Sequence, residues 1–107
     1  MAERYQVSWA AVAEADLAAI VESVAEESPA SLRILEMVEW RASTLRSSPF
    51  RGRVVPELAR FEIRDYRELI AAPYRIVYSV RQKRVWVLGV MDGRRDLATI
   101  LLARFIR

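Results

Sequence analysis

The residues of this sequence that could do chemistry crowd into one stretch, Arg67 to Leu97, which reads RELIAAPYRIVYSVRQKRVWVLGVMDGRRDL. Arg67, Arg75, Arg94 and Arg95 fall at the ends of extended segments or on faces that apolar residues leave free. A guanidinium is planar, stays charged, and holds a phosphate or carboxylate through two parallel hydrogen bonds. Arg75 interrupts the apolar run PYRIVY on the face away from Tyr74 and Ile76. If that face is open, Arg75 is placed to bind phosphate. Otherwise it pairs with Glu68 or Asp92 across the sheet, an exposed contact contributing under ~1 kcal/mol. The segment Asp92-Gly-Arg-Arg-Asp96 sets two arginines at a strand-to-helix turn, beside N–H groups that also favour an anion. There the alternative is one arginine paired with Asp92 or Asp96 and the other solvated.

Support for acid–base catalysis is thin. Glu57, Glu68, Asp92, Tyr66 and Tyr74 are the candidate groups near these arginines. Cleavage of RNA through its 2′-hydroxyl needs a base, an acid and cationic stabilisation of the phosphorane. Arginine supplies the third and, being always protonated, serves poorly as the first two. The sequence has no histidine and no cysteine, which excludes imidazole bases, thiolate zinc sites and disulfides. No Gly-rich phosphate loop, serine elbow or metal-ligand cluster is present, so no cofactor or metal is expected. Trp86, Tyr66, Tyr74 and Tyr78 interleave with the basic residues as stacking groups for single-stranded RNA would. Tyr78, however, shares the Tyr74/Ile76 face and is expected in the core.

These residues need elements to position them. A chain of 107 residues, 53% hydrophobic and 29% charged, is expected to form one domain over 1–107 around a single core. No run approaches the ~20 apolar residues of a membrane span, and MAERYQVSW lacks a signal-peptide pattern, so a cytoplasmic protein is expected. Charge is unevenly divided. Residues 1–45 carry three arginines against eight acids, net −5; residues 46–107 carry fourteen cations against six acids, net +8, giving +3 overall. All the cations but Lys83 are arginine. The basic half suggests an anionic or acidic partner.

Tyr5 to Trp9 alternates with period two and predicts a strand, and Ala10 to about Glu27 has helical period. Ser28-Pro29 predicts the cap and first residue of a second helix, with Leu32, Leu35, Val38, Ala42 and Leu45 on one stripe, ending near Ser47-Ser48-Pro49. Ile34, Met37 and Trp40 form a second apolar edge, which either packs on the sheet or faces a partner. Residues 50–65 predict a loop with a short extended piece, in which the alternation of Phe61 and Ile63 lengthens the following strand. Three strands follow, about Tyr66–Ala71, Tyr74–Val80 and Val85–Met91, turned at Ala72-Pro73 and Arg81–Arg84. The third is apolar on both faces, and Gly89 within it marks a close approach by another backbone. Asp96 caps a last helix carrying Leu97, Ile100, Leu101 and Phe105. The order predicts an α+β fold: an N-terminal strand, an antiparallel helical hairpin packed on a three-strand antiparallel meander, and a short C-terminal helix. The first strand joins beside the last one or at an edge.

At this point the residues resemble a family. Arg67-Glu-Leu, Pro73-Tyr-Arg-Ile-Val-Tyr78 and VWVLGVMDGRRDL, with the preceding Gly52-Arg-Val-Val-Pro-Glu-Leu58, are similar to the RelE/ParE superfamily of toxins from type II toxin–antitoxin modules. The resemblance implies a toxin neutralised by a cognate antitoxin whose C-terminal segment wraps it, giving a hetero-oligomer. RelE-like members cleave mRNA in the ribosomal A site with arginines that match Arg75 and Arg95. Their lysines on the preceding strand are replaced here by Tyr66-Arg-Glu68, and their C-terminal tyrosine is absent. ParE-like members, which poison DNA gyrase, resemble this chain more closely, although Asp92 stands where they usually carry histidine. The expected function is therefore inhibition of gyrase by binding. The alternatives are a ribosome-dependent mRNA endoribonuclease and a non-toxic antitoxin-binding module. Residues expected to meet target or antitoxin are Arg67, Glu68, Arg75, Asp92, Arg94, Arg95, Trp40 and Met37, with the antitoxin in an apolar groove bounded by Trp40, Met37 and Leu45.

Overall fold

A computed structural model describes residues 4–106. Met1, Ala2, Glu3 and Arg107, which enter the charge tally and the expected 1–107 domain, lie outside the described residues. The order is β1 (Gln6–Trp9), α1 (Ala11–Ala25), α2 (Ser31–Ser43) continuing into a 3-10 turn at Thr44–Arg46, β2 (Arg53–Val54), α3 (Pro56–Ala59), β3 (Arg67–Ala71), β4 (Tyr74–Arg81), β5 (Arg84–Asp92) and α4 (Leu97–Phe105). The α+β class holds. The sheet has five strands where three were expected, in the order β1-β5-β4-β3-β2.

The antiparallel meander β3–β4–β5 lies where the alternation placed it, and β1 runs parallel to β5, from Gln6 opposite Arg84 to Trp9 opposite Val87. It is thus both beside the last strand and at an edge. The β4–β5 connection is a two-residue turn in which Gln82 and Lys83 take φ values of 48° and 63°, the left-handed pair that matches the twist of hairpin strands. The β3–β4 turn holds a cis Ala72-Pro73 bond.

Helices cover both faces of the sheet. On one face Tyr74, Ile76, Tyr78, Val85, Val87 and Val90 pack with Ala13 and Leu17 of α1 and with Val38, Ala42 and Leu45 from α2 and the turn after it. On the other, Val77 and Met91 pack with Val55, Leu58, Leu97 and Leu101, so α3 and α4 cover it. This corrects the expectation of an open face around Arg75. A bulge reconciles β5 with the first core: Val77 opposes Gly89 but Tyr78 opposes Val87, leaving Leu88 over. The extra residue reverses the alternation, so that Val85, Val87 and Val90 all face α1 and α2.

Other local expectations also change. Ser28 does not cap α2; its Oγ accepts from the N–H of Ala30 at 3.1 Å, and the helix starts at Ser31. Leu32 leaves the expected stripe and stands 65% exposed. Phe61 and Ile63 do not extend β3; the chain turns there, with Glu62 at φ 62° and Phe61 exposed. Within the expected loop, Pro56 begins the one-turn helix α3, its missing N–H costing nothing at that position. Gly89 is approached by side chains and not by backbone: a Cβ there would lie 2.9 Å from Arg104 Nη1 and 3.4 Å from Asp16 Oδ2. Arg104 Nη1 donates to Asp16 Oδ2 at 2.6 Å, and the same oxygen accepts from Val90 N at 3.0 Å, tying α4, α1 and β5 together. Among the described residues, no helix is long and apolar enough to cross a membrane.

Candidate functional site

Arg75 is held by carboxylates. Its β4 position directs the side chain to the α3/α4 face, where only 9% of the residue stays exposed. Nε donates to Glu68 Oε1 at 2.6 Å, and Nη1 and Nη2 donate to the two oxygens of Glu57 at 2.8 and 2.7 Å. Glu68, with a fully buried side chain, also accepts from Arg53 Nε at 2.7 Å. The strand register makes this inevitable once α3 is in place. Glu68 opposes Val77, two residues along β4 from Arg75 and on the same face, while Pro56-Glu57 lays the second carboxylate over both. Two opposite charges around one guanidinium hold it protonated, and the Glu57 hydrogen bond does so most. The same bond pulls Glu57 below its ordinary value of 4.5, against the opposing effect of burial. Arg75 is thereby built to join α3 to the sheet, and an incoming phosphate would compete with two carboxylates for it.

Glu57 has a depressed pKa in the folded chain, so its contribution is present above pH 4.5 and is lost as pH falls through the lowered value. Stability should therefore fall with acidification below about pH 4.5, and Glu57→Gln should flatten that fall while costing about 1.5–3 kcal/mol at pH 7. Urea unfolding followed from pH 7 to pH 3 reads both.

The turn after β5 resolves into separate roles. Arg94 Nε and Nη2 donate to Asp92 Oδ1 and Oδ2 at 2.9 and 2.8 Å, and the Arg94 N–H donates to Oδ1 at 2.9 Å. This clamp lowers the Asp92 pKa and raises that of Arg94. Asp96 caps α4 as expected, accepting from Ala98 N at 3.2 Å. Arg95 is exposed and makes no ion pair among the described residues; with Asp92 it lines two neighbouring clefts against Ala19 and Ile20 of α1. The guanidinium of Arg75 points instead to Glu57 and Glu68, although its stem passes 3.4 Å from where a Cβ on Gly93 would sit. Of the expected acid–base groups, Glu57 and Glu68 serve Arg75, Tyr74 is buried in the core, and Tyr66 packs on Phe105 with ring centroids 4.6 Å apart.

Arg67 sits apart. It donates to the carbonyls of Phe50 and Gly52 at 3.3 and 2.8 Å and lies over the Phe50 ring. The groove differs in place from the one the sequence suggested. Leu45 is fully buried, Met37 packs half-buried against the core, and Trp40 stands 63% exposed. A groove of about 490 Å³ instead runs between α1 and α2, floored by Trp9, Leu17, Val21 and Leu35 and rimmed by Glu14, Glu22 and Glu39. Its apolar positions at i and i+4 of α1 were visible in the helical period. That Trp9 would complete the floor depended on where β1 joins.

Comparison with known proteins agrees with this architecture. The family model described as ParE toxin of type II toxin-antitoxin system, parDE, matches residues 7–97. Among solved structures, a chromosomal ParDE toxin–antitoxin system from P. aeruginosa is similar at a TM-score of 0.68 and 19% identity, covering 83% of this chain and 96% of that one. The toxin–antitoxin complex RelBE2 from Mycobacterium tuberculosis is similar at a TM-score of 0.58 and 22% identity, covering 84% and 92%. At such identities the likeness is one of fold. No curated protein matches the sequence. The match over 7–97, on an α+β fold of a five-stranded sheet, a helical hairpin and a C-terminal helix, assigns this chain to the ParE toxins of type II toxin–antitoxin systems.

Proposed function

We propose that this chain arrests growth by binding DNA gyrase, without cleaving a substrate, and that a cognate antitoxin neutralises it by occupying the α1–α2 groove. The observation that carries the reading is the engagement of all three guanidinium nitrogens of Arg75 by Glu57 and Glu68. A phosphate-stabilising arginine gains most when its donors are unspent in the resting site, and here each nitrogen of the guanidinium already donates to a carboxylate. Arg94 is likewise clamped by Asp92, and no histidine exists to move a proton. The groove has an apolar floor and a rim of acidic side chains, a surface of the kind that takes an amphipathic helix.

Purified toxin should inhibit gyrase supercoiling of relaxed plasmid at micromolar concentration, and added antitoxin should restore it. Unaffected gyrase would remove the target. If message is then cut in a translating extract and stays intact without ribosomes, the endoribonuclease reading replaces it. If induced expression neither slows growth nor does either of these, the chain is an antitoxin-binding module.

A further inference from the structure

Several arginines of this chain are neutralised: Arg53, Arg75, Arg94 and Arg104 each donate to a carboxylate. A different set gathers at the end of the sheet that carries the β4–β5 hairpin. Arg64, Arg67 and Arg81 line one cleft of about 380 Å³ with Phe50, Val80 and a lone acid, Asp65. Arg81 also borders the adjoining hollow formed with Gln82, Arg84 and Trp86. None of these four arginines makes an ion pair among the described residues.

Two of them are nonetheless oriented. Arg67 lies 5.4 Å from the Phe50 ring centroid and donates to backbone carbonyls; Arg84 lies 5.5 Å from that of Trp86 and donates to Ser8 Oγ at 2.6 Å. Their partners are aromatic faces and neutral oxygens, which fix direction without cancelling charge. Phe50 is 57% exposed, held edge-on by Tyr5 at 6.5 Å. The left-handed pair Gln82 and Lys83 sets the hairpin between the two hollows. The surface thus alternates uncompensated guanidiniums with aromatic rings.

The geometry points to a binding surface for single-stranded nucleic acid at this hairpin end, with Arg64, Arg67, Arg81 and Arg84 on phosphates and the rings of Phe50 and Trp86 against bases. Successive cations track a phosphate backbone, and exposed rings accept any base by stacking. An acidic peptide would use the charges but leave the exposed Phe50 ring without a partner. The surface is also separate from Arg75, which lies six residues away along β4, on the order of 20 Å. The inference goes beyond the gyrase reading and does not rest on it.

Fluorescence anisotropy of the full chain with a labelled oligo(dT) of about twelve nucleotides tests it across a salt series. Four phosphate contacts on a single strand predict a log–log salt slope of about −3. Arg81→Ser/Arg84→Ser should weaken binding about tenfold or more at low salt and halve the slope. Phe50→Ala should weaken binding severalfold with the slope unchanged, which charge alone would not produce. Arg33→Ser/Arg60→Ser, which alters exposed arginines elsewhere, should change neither, and thermal melts should show every variant folded at the assay temperature. Binding indifferent to Arg81 and Arg84 would overturn the proposal. So would polyglutamate binding as tightly as oligo(dT), or a duplex of the same length binding more tightly.

Discussion

Glu68→Ala should lower stability by about 3–5 kcal/mol, because it leaves the guanidinium of Arg75 buried with one of its two carboxylates gone. Arg53 loses its partner in the same step. For a domain of this size each kcal/mol moves the melting temperature by roughly 4 °C, so a fall of about 12–20 °C is expected. The reverse change, Arg75→Ala, should cost as much, since it strands Glu57 and Glu68 together with no cation between them. The double variant Glu68→Leu/Arg75→Met should lie above both singles, because an apolar pair of similar volume carries no desolvated charge. Urea melts of the parent and the three variants rank these effects. A Glu68→Ala loss under about 1 kcal/mol would mean that the cluster does not hold α3 to the sheet. The prediction also bears on activity assays. Loss of toxicity in Arg75→Ala would report unfolding as readily as a lost phosphate contact, so it is interpretable only beside the melt.

Gly52→Ala should be the most damaging single-methyl change in the chain, at about 3 kcal/mol. A Cβ on residue 52 would lie 2.5 Å from the Glu68 carbonyl oxygen, 2.6 Å from Tyr78 Oη and 2.9 Å from the Tyr78 ring. A strand carbonyl and a fully buried ring have little room to give. The methyl would part β2 from β3 and break the bond from Gly52 N–H to Tyr78 Oη, now 2.9 Å. It would also displace the carbonyl that receives Arg67. Tyr78→Phe removes only the acceptor and should cost about 1–2 kcal/mol, leaving the Gly52 N–H unpaired. Thermal melts of both order the two effects. Tyr78→Phe proving the worse would show that the hydrogen bond, and not the space, governs this corner.

Much of the fold was legible. The period-two alternation of Tyr74 to Val80 and the turn residues at 72–73 and 81–84 placed the meander, and Asp96 capped α4 as its position required. The short elements were not. A two-residue strand and a four-residue helix, Arg53–Val54 and Pro56–Ala59, carry too few positions to show a period. That gap misdirected the reading of Arg75, because α3 is what brings Glu57 to it. One sign was available. A β5 apolar on both faces requires cover on both faces, which argued against an open surface beside Arg75. Glu68 was named as a partner from local sequence. That it would be wholly buried depended on α3 and α4 closing over it. The hollow between α1 and α2 was not legible, since only the parallel docking of β1 puts Trp9 under the two helices.

That docking has a consequence for how the toxin is made. Among the described residues β1 precedes the other strands, yet the strand it pairs with is β5, nearly eighty residues later in the chain. Pairings this distant in sequence slow folding, because a long loop must close before any contact rewards it. On the ribosome, β1 and the α1–α2 hairpin emerge with their sheet still missing. The Asp16–Arg104 bond that locks α1 over Gly89 waits longer still, for the last helix. A chain cut short before Arg84 therefore has no completed sheet to present. An antitoxin that binds the α1–α2 groove would find its floor incomplete until β5 has paired with β1 and set Trp9 under the helices.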